Sequence, residues 1–403
     1  MNRKVSLGVA ISMAVISSAV TICITMLVAM QLFNNSIGNL AERQAMYDKL
    51  NQIDRLVREN FAGKIDEEYL KDNIAKGYIY GLNDKFSSYY TAEESAERKE
   101  ELSGNSQGMG IISTEHPDNK TIYIVAVHSG SPADKAGLKA GDQIIKVGDA
   151  LVSDIGYSKA YSALKGKKGQ KKTITVLSSG EERTIEITYD EFKIQSVFYH
   201  MIDNIGYIKI TEFNAETTDQ FKNAVKTLKE QGADALIFDV RKNGGGTVDS
   251  AAKILDFLLP EGNIMSVRYA NGKDEVLHKS DPAQIELPMA VLVDKQTASA
   301  AELFAAAIRD YDKGILVGSQ TYGKGVMQRT YYLSDGSSIK ITVAEYTPPS
   351  GVSFNGIGLD PDVKIDLNAE QEKYYYIISE DKDPVVQGAV NNLKKQIAAS
   401  NFN

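Results

Sequence analysis

Ala235-Leu236-Ile237-Phe238-Asp239-Val240-Arg241-Lys242-Asn243-Gly244-Gly245-Gly246 is the stretch that decides the fold class. An apolar run that stops at an aspartate reads as a strand buried on both faces. Three glycines follow, and Val248–Leu259 then carries helical periodicity. Strand, glycine loop and helix form the repeating unit of layered α/β folds. The unit recurs on both sides. Ile205–Thr211 reads as a strand and Ala215–Glu230 as a helix. Met289–Val293 reads as a strand, Ala298–Arg309 as a helix and Ile315–Val317 as a short strand. Gln328–Leu333 and Ser338–Tyr346 alternate like an antiparallel pair around Ser334-Asp335-Gly336. Ala369–Ser379 and Pro384–Ala398 close the chain as helices.

Ahead of this core the pattern is different. Gly108-Met109-Gly110-Ile111-Ile112 leads into the alternating run Ile122–Val127, then a short helix near Pro132–Lys135 and a strand at Gln143–Val147. Thr173–Leu177 and Arg183–Thr188 read as two more strands, so residues 104–190 form one small β-rich domain. Asp66–Tyr80 and residues 37–60 have helical spacing, the latter with Leu40, Tyr47, Leu50, Ile53, Leu56 and Val57 on one stripe.

Val5–Phe33 carries no charge and follows Arg3 and Lys4. A spanning helix needs about 20 apolar residues, whereas the apolar core of a cleavable signal peptide has about 7–15. The stretch ends Leu27-Val28-Ala29-Met30-Gln31, a poor cleavage site. It reads as an uncleaved signal anchor, with the N-terminus cytoplasmic and the rest of the chain extracytoplasmic. That makes a single-pass protein of the cell membrane.

Composition removes several classes. With 403 residues, roughly 150 per domain gives two or three domains. One Cys excludes a disulfide framework, and four scattered His offer no metal-ligand spacing. A net charge of −8 without a basic stripe argues against nucleic acid as a partner. No cofactor motif stands out, and neither a cofactor nor a metal is expected.

Three segments could carry chemistry, each with a plainer alternative. Asp239–Gly246 could aim backbone N–H groups at an oxyanion beside a helix start, or could be a tight turn. Ser299 could be a nucleophile at a helix N-terminus, or the cap of a Ser299-x-x-Glu302 capping box. Gly318-Ser319-Gln320-Thr321-Tyr322-Gly323-Lys324-Gly325 approaches a phosphate loop, but Gly325 replaces its hydroxyl residue and a strand pattern follows it. Lys324 between two glycines could instead be a desolvated general base, or a solvated turn residue. Lowering a lysine from ~10.4 to ~7.5 takes about 4 kcal/mol. No His or Cys lies near these segments, so Ser with Lys is the economical pairing.

Taken in order, these motifs resemble the carboxyl-terminal processing (tail-specific) proteases over roughly residues 40–365. Leu82-Asn83-Asp84-Lys85-Phe86-Ser87-Ser88-Tyr89-Tyr90 resembles the family's L-D-P-Y-S-x-Y segment, and residues 108–147 resemble its PDZ domain. Asp239–Gly246 resembles D-L-R-x-N-P-G-G, Thr297–Glu302 resembles S-A-S-A-S-E, and Val317–Gln328 resembles V-G-x-x-T-x-G-K-G-x-x-Q. Gly356–Asp362 resembles the closing G-I-x-P-D.

The resemblance implies Ser299 as nucleophile, Lys324 as general base and Gln328 as the residue orienting the lysine. It implies Gly245 and Ala300 as oxyanion donors. Gly108, Met109, Gly110 and Ile111 become the PDZ loop that receives the carboxylate of an apolar substrate tail. Three positions depart from the family pattern: Gly244 stands for Pro, Thr297 for Ser, and Ala301 for Ser. None removes a catalytic group.

The resulting expectation is a multi-domain α/β protein, a layered α/β serine protease core with an inserted β-rich PDZ domain, an N-terminal transmembrane helix and helical arms. It divides into a stub (1–4), the anchor (5–33), a helical region (34–103), the PDZ domain (104–190), the protease core (191–368) and C-terminal helices (369–403). The expected activity is cleavage of protein substrates near their C-termini. The helical arms suggest a homodimer. A tethered PDZ adaptor with an inactive protease domain is the rival reading. An acyl-CoA-type enzyme with a similar oxyanion loop would explain neither the PDZ segment nor Lys324.

Overall fold

A computed structural model describes residues 7–400. The expected stub 1–4 and the first residues of the apolar span lie outside the described residues. The chain forms two compact units that divide after Asn73. In the first, one continuous helix runs Leu7–Asn60. Its window Ile11–Val28 has mean hydropathy 2.2 and no buried residue, so it is long and apolar enough to cross a membrane.

The second unit is mixed α/β, built on three larger sheets. The central sheet has the order Val197–Ile202, Ile205–Ile210, Ala235–Asp239, Met289–Val293, Gly314–Gly318, Val363–Lys364. Its first pair is antiparallel and every later pair parallel. The parallel strands lie in chain order without reversal. Right-handed crossovers therefore put Thr217–Glu230, Val248–Leu258 and Ala300–Asp310 on a single face. Leu236, Phe238 and Val291 pack there with Phe221, Leu255 and Phe304. The alternate residues Ala235, Ile237, Ala290 and Leu292 point the other way, onto Val385, Val386, Ala389 and Leu393 of Pro384–Ser400. Burial on both faces explains why these strands are continuously apolar.

A five-stranded antiparallel sheet stands beside this core. Ser338–Thr347 is its central ribbon, pairing with Ser88–Tyr90, Val326–Tyr332 and Gly262–Tyr269. Gly262–Tyr269 pairs in turn with Asp274–Ser280. The ribbon thus brings the segment before the β-rich domain beside the strand that follows Lys324. The β-rich domain has its own sheet, Ile111–Glu115, Ile122–Val127, Gln143–Val147, Lys171–Ser178, Glu181–Thr188, and its own core around Ile124, Ile144, Ile174 and Val176. Ile111–Glu115 is the edge strand of that sheet.

One helix is shorter than its periodicity suggests. Ala369–Lys373 ends after five residues, and the chain continues in turns to Ser379. Tyr375 leaves the helical path and is buried, its ring covering Lys209, Arg241 and Lys242.

Candidate active site

Ser299 stands between the strand Met289–Val293 and the helix Ala300–Asp310 with φ 59° and ψ −121°. A non-glycine residue at positive φ is strained and persists only where its surroundings hold it. The holding group is Glu302, which is fully buried. Its Oε2 accepts the Ser299 N–H at 2.9 Å. The Glu302 N–H goes to the Ser299 carbonyl at 2.9 Å, and Ser299 and Glu302 form the capping box that their spacing predicts.

Glu302 reaches further. Its Oε2 also accepts the Lys324 N–H at 2.8 Å, and its Oε1 accepts the Gly323 N–H and the Thr321 hydroxyl, both at 2.6 Å. One carboxylate therefore joins the loop of Ser299 to the loop of Lys324. In the sequence Glu302 shows as the capping partner of Ser299 and as the last residue of the S-A-S-A-S-E resemblance, and neither signal points to a tie between two loops. The Lys324 carbonyl accepts from the hydroxyl of buried Tyr346 at 2.8 Å. Burial, and then Glu302, push the Tyr346 hydroxyl well above its usual range, against the effect of the neighbouring Ser299 side chain.

The Lys324 ammonium makes no ion pair among the described residues. Its Nζ lies 4.9 Å from the centroid of the Phe86 ring. Burial lowers its pKa, Lys340 and Arg98 lower it further, and Asp84 and Glu302 oppose them. The result is a lysine that gives up its proton more readily than a solvated one. Gln328 lies two strand residues past Val326, and its amide donates to the Val326 carbonyl (3.1 Å) and the Thr342 hydroxyl (3.3 Å).

Gly245 and Ala300 are brought together. A Cβ placed on Gly245, where φ is +101°, would come within 2.9 Å of the Ser299 Cβ and 3.0 Å of the Ala300 nitrogen. The Gly245 N–H itself donates to Asn243 Oδ1 at 2.8 Å. Asn243 is fully buried; its amide donates to the Ile210 carbonyl at 2.9 Å, and its own carbonyl accepts the Ala298 N–H at 3.0 Å.

A buried ionic cluster anchors the base of this loop. Arg241 forks onto Asp239 through Nε (3.0 Å) and Nη2 (2.7 Å) and reaches Asp383 through Nη1 (2.8 Å). Tyr207 adds a hydroxyl to Asp239 at 2.6 Å. Burial pushes the Asp239 carboxyl up, but the Arg241 and Lys209 charges and these hydrogen bonds outweigh it and hold the pKa well below the usual carboxylate range. Lys242, at φ 62°, pairs with Glu372 at 2.8 Å.

Gly108–Ile112 line a cavity of about 770 Å³ together with His128, Tyr161, Leu164 and Phe192. The same cavity extends to Thr211 and Glu212. The next residue, Phe213, donates its N–H to the Gly245 carbonyl at 2.9 Å. The cavity lining thus ends at the chain neighbour of a direct main-chain partner of the Gly245 loop. Across the open edge of Ile111–Glu115, the Tyr157 hydroxyl donates to the Ser113 carbonyl at 3.2 Å.

Known proteins resemble this chain over most of its length. Residues 204–365 match peptidase family S41, and residues 99–177 match the PDZ domain. The chain is 34% identical over 360 residues to the carboxy-terminal processing protease CtpA of Bacillus subtilis, covering 88% of this chain and 75% of that one. It is 31% identical over 361 residues to a CtpA-like serine protease of Staphylococcus aureus, covering 88% of this chain and 72% of the other. A crystal structure from Bacteroides fragilis, described as an S41 protease, shares the fold at a TM-score of 0.58 and 18% identity, over 83% of this chain and 93% of that one. The chain belongs to peptidase family S41, as a carboxy-terminal processing serine protease that carries a PDZ domain.

Proposed function

We propose that this protease cuts protein substrates near their C-termini with a Ser299–Lys324 dyad. One observation carries the reading: a single buried carboxylate, Glu302, takes hydrogen bonds from the main chain of both residues. Lys324, neutral when it acts, takes the proton of Ser299 Oγ as that oxygen attacks the peptide carbonyl. The tetrahedral oxyanion is met by the Ala300 N–H at the helix start, and by the Gly245 N–H once it leaves Asn243. Lys324 returns the proton to the departing amine, an acyl-enzyme forms, and water releases it. Gln328 holds the lysine strand through Val326 and Thr342 and is the orienting residue in this scheme. No metal or cofactor takes part.

The PDZ loop Gly108–Ile111 receives the substrate's terminal carboxylate, and its apolar tail adds as a strand beside Ile111–Glu115. The helix through Ile11–Val28 anchors the protein in the cell membrane as a single span. Arg3 and Lys4 before it support a catalytic unit on the extracytoplasmic side. The exposed residues Tyr47, Leu50, Ile53, Leu56 and Val57 on the same helix support a homodimer.

The test uses the full chain in detergent, as wild type, Ser299→Ala and Lys324→Ala, incubated with an unstructured protein ending in apolar residues. Mass spectrometry follows the cleavage. Cleavage by wild type alone supports the dyad. Tail binding without cleavage, even with a separate apolar C-terminal peptide added, would mark a PDZ adaptor instead.

A further inference from the structure

The segment Leu82–Tyr90 lies far from Ser299 and Lys324 in the chain, yet the antiparallel sheet delivers it to the lysine. Ser88–Tyr90 pairs with Ser338–Lys340 of the central ribbon. Ser87 Oγ donates to Asp84 at 2.5 Å and accepts the Thr342 N–H at 3.3 Å. Asp84 also accepts the Phe86 N–H at 3.1 Å. These bonds fix the backbone of Phe86, whose side chain is half-buried. Its ring lies 4.9 Å from Lys324 Nζ and 4.8 Å from Lys85 Nζ. Lys85 is also shared with Tyr322, at 5.1 Å from that ring.

Resting on the dyad reading above, we propose that Phe86 is a positioning residue that cradles the Lys324 ammonium against its ring between proton transfers. An aromatic face attracts a cation and not a neutral amine. The ring therefore favours charged Lys324, alongside Asp84 and Glu302, while burial, Lys340 and Arg98 favour the neutral form. When Lys324 is deprotonated the attraction disappears, and the amine is free to turn to Ser299 Oγ. The ring thus sets both where the base waits and how readily it is released.

The experiment measures acylation of Ser299 by a fluorophosphonate across pH, on the full chain in detergent with a saturating apolar C-terminal peptide. The variants are Phe86→Leu, Phe86→Tyr and Lys324→Ala, with circular dichroism as the folding check. Phe86→Leu is expected to move the acid limb of the rate profile down by about 0.5–1 pH unit and to lower the plateau rate. Phe86→Tyr, which keeps the ring, restores the wild-type limb. A Phe86→Leu limb that stays at the wild-type pH, or moves up, overturns the proposal even if the plateau falls. If Phe86→Leu does not fold, Phe86→Met removes the ring at similar volume and carries the same expectation. A Lys324→Ala chain that keeps the full pH-dependent acylation removes the dyad itself, a different failure from an unmoved limb in a Lys324-dependent enzyme.

Discussion

Ser299 and Lys324 give their backbone N–H groups to the same oxygen, Glu302 Oε2, at 2.9 and 2.8 Å. Neither bond involves the side-chain atoms of the proposed dyad. Glu302 ties the two loops together, and in the proposed dyad that tie decides whether Lys324 can meet Ser299.

Glu302→Gln tests this link. An amide must turn its NH₂ toward one pair of N–H and O–H donors, which leaves buried donors facing a donor. Each such group costs about 1–3 kcal/mol. The expected outcome is at least a tenfold fall in kcat with a small change in KM, because the hydrogen bonds of the Glu302 carboxylate go to Ser299, Thr321, Gly323 and Lys324 and not to the PDZ loop. Steady-state kinetics on a tail peptide checks the split, and an unchanged kcat would remove the linking role.

Gly245→Ala should be more severe. The residue sits at φ +101°, and its added methyl would lie 2.9 Å from both the Ser299 Cβ and the Ala298 carbonyl oxygen. Ser299 must move or the loop must open. Oxyanion stabilisation of this kind is worth about 10²–10³ in kcat, and a loss of that size is expected in active-site acylation.

Activity should depend on pH through Lys324. Burial, Lys340 and Arg98 place its folded pKa below the ordinary lysine value. In the proposed dyad Lys324 works when neutral, so kcat/KM is expected to rise as pH climbs through the folded pKa and to level off above it. The same depression costs stability while both states are protonated, and that cost is relieved as pH rises from the folded toward the unfolded pKa. A rate profile of Lys324→Ala that keeps the same rising limb would assign the limb to another group.

Asp239 gives the opposite sign in acid. Its folded pKa lies below its unfolded one, so its contribution is complete above the unfolded value and is lost as pH falls through the folded value. Asp239→Ala leaves Arg241 buried without its bidentate partner, which costs about 3–5 kcal/mol. Denaturant unfolding near neutral pH should show a lowered midpoint, with the difference from wild type shrinking in acid.

Tyr157→Phe addresses the tail site. The hydroxyl occupies Ser113 O, an acceptor on the strand edge that an incoming peptide would use. Removing a competitor worth about 0.5–1 kcal/mol should tighten peptide binding roughly 2–5-fold. Calorimetric titration with an apolar C-terminal peptide reads this directly, and weaker binding would show that the hydroxyl helps to hold the peptide.

The α/β class and the segments that matter are legible in runs of consecutive residues. Ala235–Asp239 is apolar because both faces of a parallel strand are buried. The Gly245 loop needs glycine because of positive φ and close approach to Ser299. Periodicity and backbone freedom are local properties, so they are written in consecutive residues. The tertiary structure alone decided what surrounds Lys324. Glu302 is a capping residue by its spacing and an inter-loop tie only after folding. Phe86 meets Lys324 because both flanking segments pair with one ribbon, Ser338–Thr347. Arg241 finds Asp383 only once the last helix packs onto the sheet. Such contacts join groups distant in sequence, and their energies depend on burial and mutual distance, which exist only in the folded chain.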